Sequence, residues 1–255
     1  VTTIPVGDNP LMVAVNPAGT IAYVTNFIDG TVSVIDTATN TVTATIATIY
    51  QPIGVAVNPT GTRVYVTTDN NSVEIIDTDP TSGTYNTIIH SLTVGVNPSG
   101  VVVNPAGTKV YVADTGDGTV SIIDAITNTI AGPPMSGGGN PSGLAINPAG
   151  TRLYTADGAG GTVSVHNTIT EAIVVLPIAV GTVAWGAVTN PTGTRLYVST
   201  DTDGTVVVID IDPASPNNNT VIDTITVGAG ARGVAINAAG NTLYVANFDD
   251  GTVSV

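Results

Sequence analysis

Short apolar runs alternate with tight-turn signals along the whole chain. The stretch Val101–Asp124 reads VVVNPAGTKVYVADTGDGTVSIID and holds three runs rich in Val, Ile, Thr and Tyr. Asn104–Gly107 and Thr115–Gly118 separate these runs. β-Branched and aromatic residues favour strands, whereas Asn-Pro and Asp-Gly favour reversals of the chain. The stretch therefore predicts a meander of three antiparallel strands.

The same meander recurs six times, with intervals of 42, 46, 43, 43 and 47 residues between the tyrosines of its middle strands. These tyrosines are Tyr23, Tyr65, Tyr111, Tyr154, Tyr197 and Tyr244. A fourth, weaker run follows most copies, namely Thr41–Ile46, Asn86–Leu92, Ala172–Ile178 and Thr220–Val227. The third copy has only the poor run Asn128–Ala131, followed by a loose loop. Four strands at a period of about 40–50 residues are typical of β-propeller blades.

The sixth copy ends at Val255 without a fourth run, but the chain begins with a matching one. Val1–Gly7 reads VTTIPVG and resembles DTITVG at Asp223–Gly228. We therefore predict one all-β domain, a six-bladed β-propeller with four antiparallel strands per blade, in which Val1–Val6 closes the last blade. The alternative is that Val1–Val6 pairs with a neighbouring molecule. The predicted blades cover residues 7–46, 47–93, 94–133, 134–179, 180–227, and 228–255 plus 1–6.

The composition and charge of the chain disfavour several classes of protein and of binding partner. Hydrophobic residues make up 42% of the chain and charged residues 9%, which disfavours disorder. No apolar run approaches the roughly 20 residues of a membrane-spanning helix, so we expect no membrane insertion. The net charge of −14 opposes binding to nucleic acid. The absence of cysteine excludes disulfides and thiolate sites. We expect a chain starting at Val1 to be a processed form or an excised fragment.

Three repeated motifs carry a specific resemblance. They are Tyr23-Val24-Thr25-Asn26, Asn-Pro-x-Gly-Thr and Gly-Thr-Val-Ser-Val-Ile-Asp. With them, essentially the entire chain resembles the YVTN family of β-propeller repeats. Local departures are Tyr154–Asp157, His166-Asn167 and Trp185–Ala187. The family occurs largely in archaeal and bacterial surface-layer and secreted proteins, so the resemblance implies an extracellular, cell-surface location and an interaction role, with no catalytic residues to transfer.

Candidate binding groups fall on the side of the predicted blades that carries the turns between second and third strands, called here the upper side. One polar residue follows each Tyr-Val-x position: Asn26, Thr68, Asp114, Asp157, Thr200 and Asn247. The loops between blades add Tyr50, Trp185 and Arg232. Such groups suit a carbohydrate or another small ligand. Trp185 has two interpretations, packing between the fourth and fifth blades or an aromatic platform for a sugar.

Phe27 and Phe248 lie in turns of blades that we expect to be adjacent. With Tyr50 they predict an exposed apolar patch that contacts another copy, a neighbouring domain or a surface glycan.

The acidic turns have two interpretations. Their carboxylates are compatible with a calcium site, but Asp-Gly is also a strong hairpin signal, and we favour the hairpin interpretation. The sequons at Asn70 and Asn218 are possible N-glycosylation sites. The acidic turns are Asp29-Gly30, Asp117-Gly118, Asp201–Gly204 and Asp249–Gly251.

Basic residues two positions before the blade tyrosines predict cross-strand ion pairs, because the start of one antiparallel strand lies beside the end of the next. The expected pairs are Arg63–Asp77, Lys109–Asp124 and Arg195–Asp210. Arg152 meets Asn167 instead, and Arg232 is expected to remain free.

These observations favour a non-catalytic structural or interaction module of a surface layer, sheath or fibre, which binds copies of itself or neighbouring surface domains. His90 and His166 fall in different registers, and no catalytic or cofactor motif is present. We therefore predict no catalytic residue, metal or cofactor. The alternatives are a carbohydrate- or small-ligand-binding module at the upper mouth and a lyase or hydrolase with polar groups there.

Overall fold

The computed structural model describes residues 3–255, and its regular structure consists of antiparallel strands. These strands form six sheets, each a meander in chain order. The six-bladed β-propeller predicted from the repeats is confirmed. The described residues include no helix with the length and hydropathy needed to cross a lipid bilayer.

The first three sheets share one pattern of strands. The first contains β1 (Pro10–Val15), β2 (Ile21–Asn26), β3 (Thr31–Asp36) and β4 (Thr41–Ala47). The second contains β5 (Pro52–Val57), β6 (Arg63–Thr68), β7 (Ser72–Asp77) and β8 (Thr87–Thr93). The third contains β9 (Pro98–Val103), β10 (Lys109–Asp114), β11 (Thr119–Asp124), β12 (Thr129–Ile130) and β13 (Met135–Ser136).

The last three sheets repeat this pattern, except that the sixth sheet has three strands in the described chain. The fourth contains β14 (Pro141–Ile146), β15 (Arg152–Asp157), β16 (Thr162–Asn167) and β17 (Ile173–Ala179). The fifth contains β18 (Ala184–Thr189), β19 (Arg195–Thr200), β20 (Thr205–Asp210) and β21 (Thr220–Thr226). The sixth contains only β22 (Ala231–Ile236), β23 (Leu243–Asn247) and β24 (Thr252–Ser254).

The predicted closure of the sixth sheet by Val1–Val6 is wrong as far as the described residues test it. Thr3–Val6 forms no strand, and β24 has β23 as its only strand neighbour in the described chain. Val1 and Thr2 lie outside the described residues. The segment is instead fixed at its far end, where the amide of Asp8 donates to the Asp29 carboxylate at 2.8 Å.

The fourth strand of the third sheet is broken, as its poor sequence predicts. Both pieces, β12 and β13, pair with β11. Pro133-Pro134 lies between them, and proline has no amide to donate to a ladder. The chain therefore bridges the gap without hydrogen bonding as a strand.

By its contacts the chain divides into two compact units, the first of them residues up to Asp117 with Ser121–Pro133. In this unit the tyrosine-bearing faces of the first and second sheets pack on a Val- and Ile-rich face of the next sheet. Tyr23 packs with Val64, Val66 and Ile76 of the second sheet. Tyr65 packs in the same way with Val110, Val112 and Ile123 of the third sheet.

The second unit, Gly118–Val120 with Pro134–Val255, has the same plan. Tyr154 packs with Leu196, Val198 and Ile209 of the fifth sheet. Tyr197 is half-buried against a smaller cluster that contains Val245 of the sixth sheet. The core of each unit is thus a series of contacts between successive sheets.

The predicted cross-strand ion pairs are confirmed where the structure gives a distance. Arg63 Nη1 lies 2.5 Å from the Asp77 carboxylate, and Arg195 Nη1 lies 3.0 Å from that of Asp210. Hydrogen bonds from the backbone amides of residues 127 and 126 are the main cause of the lowered pKa of Asp124, and the positive charge of Lys109 lowers it further. Arg152 stands opposite Asn167, as predicted.

Candidate interaction site

The polar residues predicted as upper-side ligands are buried and hold their own hairpins. In the first unit, Asn26 donates to the hydroxyls of Thr31 and Ser33, and Asp114 accepts from Ser121 at 2.7 Å. In the second unit, Asp157 accepts from Ser164 at 2.9 Å. Thr68, Thr200 and Asn247 make equivalent bonds to the strand that comes next. These side chains therefore join the second strand of a sheet to the third.

Blade four contains a buried polar pair at two positions where the first, second, third and fifth blades have a valine and an isoleucine. Thr155 Oγ1 donates to the Gly137 carbonyl at 2.9 Å and lies 3.2 Å from His166 Nε2. Burial lowers the pKa of His166 to about 4 and raises that of Asp157 to about 6. Since Thr155 donates to a carbonyl, it accepts from a neutral His166 that carries its proton on Nε2. The imidazole is thus a donor to this hydroxyl and does not activate it as a base.

The acidic turns have a shared structural role. Asp29, Asp117, Asp203 and Asp250 each accept a backbone amide from the segment that enters their sheet. Among the described residues no group of three or more His, Cys, Asp or Glu side chains is placed to hold a metal ion. Calcium needs about six to eight oxygen ligands. The interpretation of these turns as hairpin chemistry, without calcium, stays a prediction.

Trp185, Arg232 and Phe248 form a cluster in the second unit, called here the arginine cluster. Arg232 Cζ lies 3.9 Å from the centre of the Phe248 ring and 5.0 Å from that of Trp185. Arg232 Nε donates to the Asp201 carboxylate at 3.3 Å. The prediction that Arg232 remains free is therefore wrong, because the turn after β19 brings Asp201 within reach. Phe248 is 62% exposed, so the cluster faces solvent.

The Trp185–Ala187 departure from the repeat positions this cluster. The Ser199 hydroxyl accepts the Gly186 amide at 2.9 Å and donates to the Arg232 carbonyl. A Cβ on Gly186 would lie 2.4 Å from that carbonyl oxygen, so only glycine permits the approach. Ser199 and Gly186 thus fix the backbone of Trp185 relative to that of Arg232. The sequence did not indicate the roles of Ser199 and Asp201.

Phe27 and Tyr50 belong to the first unit. Phe27 is half-buried and its amide donates to the Asn9 carbonyl, whereas Tyr50 is exposed. Next to Tyr50, the Ile49 amide donates to buried Glu74 at 2.8 Å, and burial raises the pKa of this carboxyl group. The predicted patch of Phe27 and Tyr50 with Phe248 stays a prediction. No motif in the sequence marks Glu74 as a buried carboxyl group.

The two sequons differ in accessibility. Asn70 is exposed in the turn between β6 and β7. Asn218 is half-buried, and its side-chain amide donates to the Asp212 carbonyl at 2.7 Å. Modification at Asn218 would require this bond to break, whereas Asn70 is open to a glycosyltransferase.

Tyr244 of the sixth sheet is the most exposed of the six repeated tyrosines. Tyr244 is 44% exposed, whereas Tyr23, Tyr65, Tyr111 and Tyr154 are at most 2% exposed. Val253 on the neighbouring strand is 62% exposed. We call Tyr244 and Val253 the open face. The sequence does not indicate it, because Tyr244 occupies the same motif as the buried tyrosines.

No protein-family model and no curated protein matches the chain. Solved structures do share its fold. The hydrazine synthase of Kuenenia stuttgartiensis is 18% identical, with a TM-score of 0.71, over 100% of this chain and 97% of that chain. A functionally unknown protein from Desulfotomaculum acetoxidans is 16% identical, with a TM-score of 0.82, over 98% and 86% of the two chains. At such identities the likeness shows the fold alone.

Proposed function

We propose that the protein is a non-catalytic interaction module that associates with copies of itself or with neighbouring surface domains. The observation that carries this proposal is the open face. Tyr23, Tyr65 and Tyr154 each pack on apolar side chains of the following sheet, as Tyr23 does on Val64 and Val66. The open face therefore has the shape and chemistry of one half of a sheet–sheet contact.

Covering this face is energetically favourable. Burial of one large apolar side chain contributes roughly 1.5–3 kcal/mol. An exposed apolar face next to an unpaired strand edge is also the arrangement that sheet proteins otherwise avoid, because it invites association. Among the polar candidates for catalysis, Asp114, Asp157 and His166 are buried in bonds within their own blade.

Replacement of the open face tests the proposal. Sedimentation velocity at increasing protein concentration should show association of the parent chain. The double variant Y244S/V253T should sediment as monomer at concentrations where the parent is associated. Y85S, which alters an exposed tyrosine outside the open face, is the control and should behave like the parent. Equal association of parent and double variant would contradict the proposal.

A second candidate function is carbohydrate or small-ligand binding at the arginine cluster. Two aromatic rings, a guanidinium and the Asp201 carboxylate converge there, which is the chemistry that stacks on and hydrogen-bonds to a sugar. Trp185 is the single tryptophan, so its fluorescence reports on this site alone. A saturable fluorescence change with a glycan, abolished in R232M, would support this function. No change across a glycan panel would contradict it.

The proposed setting is the outside of a cell, as the resemblance to YVTN repeats implies. A surface-layer, sheath or fibre component works at high local concentration, where weak contacts between copies are sufficient. Antibody labelling of intact cells tests this setting. Labelling only after lysis would contradict it.

A further inference from the structure

Turns and crossings of the chain alternate along the upper side of the first unit, and we call this set the upper row. The turns are residues 27–30, 69–71 and 115–117, each between the second and third strands of a sheet. The crossings are residues 48–51 and 94–97, each of which connects one sheet to the next. All of these residues belong to the first unit.

Hydrogen bonds join each part of the upper row to the next part. In every case a backbone amide of one part donates to an oxygen of its neighbour. The bonds are Thr48 to Gly30, Asp69 to Gln51, Asn97 to the side chain of Asn71, and Gly116 to Val96, at 2.9–3.0 Å. The upper row is therefore one continuous surface.

This surface presents exposed apolar side chains and carboxylates. The apolar side chains are Ile28, Ile49, Tyr50 and Val96, which are 62%, 57%, 40% and 42% exposed. The exposed aspartates are Asp29, Asp69 and Asp117, one in each turn. Exposed apolar groups bordered by charged ones are typical of surfaces that bind another protein.

Glu74 fixes the first crossing from below. Its carboxylate is fully buried and accepts the amides of Ile49, at 2.8 Å, and of Tyr50. The Thr48 hydroxyl donates to the Tyr50 carbonyl at 2.7 Å. The backbone that carries the two exposed apolar side chains is thus held in one conformation, which lowers the cost of ordering it when a partner binds.

The charge of the upper row has a single sign. No lysine or arginine belongs to it. Arg63 and Lys109, the basic residues of the first unit, begin β6 and β10, whereas the turns of the row follow the ends of these strands. The aspartates of the row therefore have no basic neighbour within it, and they attract positive charge.

A second copy of the chain does not supply the matching surface. Its five basic residues lie on five different sheets, so no segment carries two of them. Arg63, Arg195 and Arg232 are also paired with carboxylates of their own chain. Charge complementarity therefore favours a different protein as the partner.

We infer that the upper row binds a segment of another protein in which lysine or arginine side chains alternate with apolar ones. The apolar side chains of such a segment pack on Ile28, Ile49, Tyr50 and Val96, while its cations lie beside the aspartates. This inference goes beyond the proposed function, because it uses a surface other than the open face and a partner other than a second copy.

Labelled peptides test the inference by fluorescence anisotropy with the full chain. GKLGKLGKG should bind saturably, and its binding should weaken at least about fivefold between about 0.05 and 0.5 M salt, because salt screens exposed charges. GSLGSLGSG, which lacks the cations, should bind at least about tenfold more weakly. Equal binding of the two peptides, or no saturable binding of GKLGKLGKG, would overturn the inference.

Matched variants locate the binding surface. I49S/Y50S should weaken binding of GKLGKLGKG at least about fivefold, because it removes apolar contacts. I126S/Y85S makes the same two substitutions at exposed positions of the first unit outside the upper row, and it should bind like the parent. Equal affinities of these two double variants would overturn the inference.

A charge pair of variants gives an independent readout. D69N should weaken binding about two- to fivefold, whereas D223N, which removes an exposed charge on β21, should not. Equal effects of D69N and D223N would show attraction by net charge alone and would overturn the inference. None of these variants alters the open face, so the result with Y244S/V253T decides the proposed function separately.

Discussion

At the scale of residues, the molecule tolerates polar groups in its interior only where they bond to one another. Thr155 and His166 stand where other blades have a valine and an isoleucine, such as Val66 and Ile76. These two side chains are hydrogen-bond partners, with Thr155 Oγ1 3.2 Å from His166 Nε2. The sequence shows both departures, but their contact is visible only in the structure.

A double-mutant cycle tests this pairing. T155V leaves the imidazole N–H of His166 buried without a partner, which should lower the free energy of unfolding by about 1–3 kcal/mol. T155V/H166I restores the apolar pair of the other blades and should be less destabilised than the sum of the single variants, by roughly 0.5–3 kcal/mol. Urea unfolding measures all four proteins. Simple additivity would show that the two side chains act independently.

Asp157 gives a pH dependence of known sign. Its pKa is raised to about 6 in the folded protein, from 3.8 when unfolded. Between these values the folded state binds more protons, so this group lowers the free energy of unfolding as pH rises from about 4 to about 6. D157N should therefore gain stability relative to the parent over that range. A difference between D157N and parent that is constant from pH 4 to 7 would contradict the assignment.

At the scale of elements, hydroxyl groups on the second strand of one sheet donate to the first strand of the next sheet. Thr25 donates to the Ile53 carbonyl and Thr67 to that of Ser99, both at 2.8 Å. Ser199 donates to the Arg232 carbonyl in the same way. The copies with Ala113, Ala156 and Ala246 lack a hydroxyl at this position.

Removal of one such hydroxyl should be costly although it is small. S199A leaves the Gly186 amide and the Arg232 carbonyl without this partner, so the free energy of unfolding should fall by about 1–3 kcal/mol. S91A, at an exposed position of β8, should change it by less than about 0.5 kcal/mol. Thermal and urea unfolding compare them. Equal effects of S199A and S91A would exclude this role for Ser199.

Period and turn chemistry were sufficient to predict the strands and the ion pairs, because both depend on local sequence. Arg63 and Asp77 meet since the hairpin register alone brings them together. The arginine cluster was only partly predictable: Trp185, Arg232 and Phe248 were candidates, but their convergence depends on the packing of successive sheets. The open face could not be predicted, because burial of Tyr244 requires a second sheet packed against its own and is not set by its motif.

At the scale of the whole molecule, the sixth sheet differs from the rest in both strand number and burial. In the described chain it has three strands, and Tyr244 on one of its faces is 44% exposed. The proposed role of the molecule is association through this face.

Amide hydrogen exchange on β24 tests association through the open face. In the register of the fifth sheet, the amide of Val253 points away from β23, as that of Val206 points toward β21. Exchange of peptides covering Thr252–Val255 should slow at least tenfold between dilute and concentrated protein, while those covering β20 stay unchanged. Association of the parent with no added protection of β24 would show that copies associate through another surface.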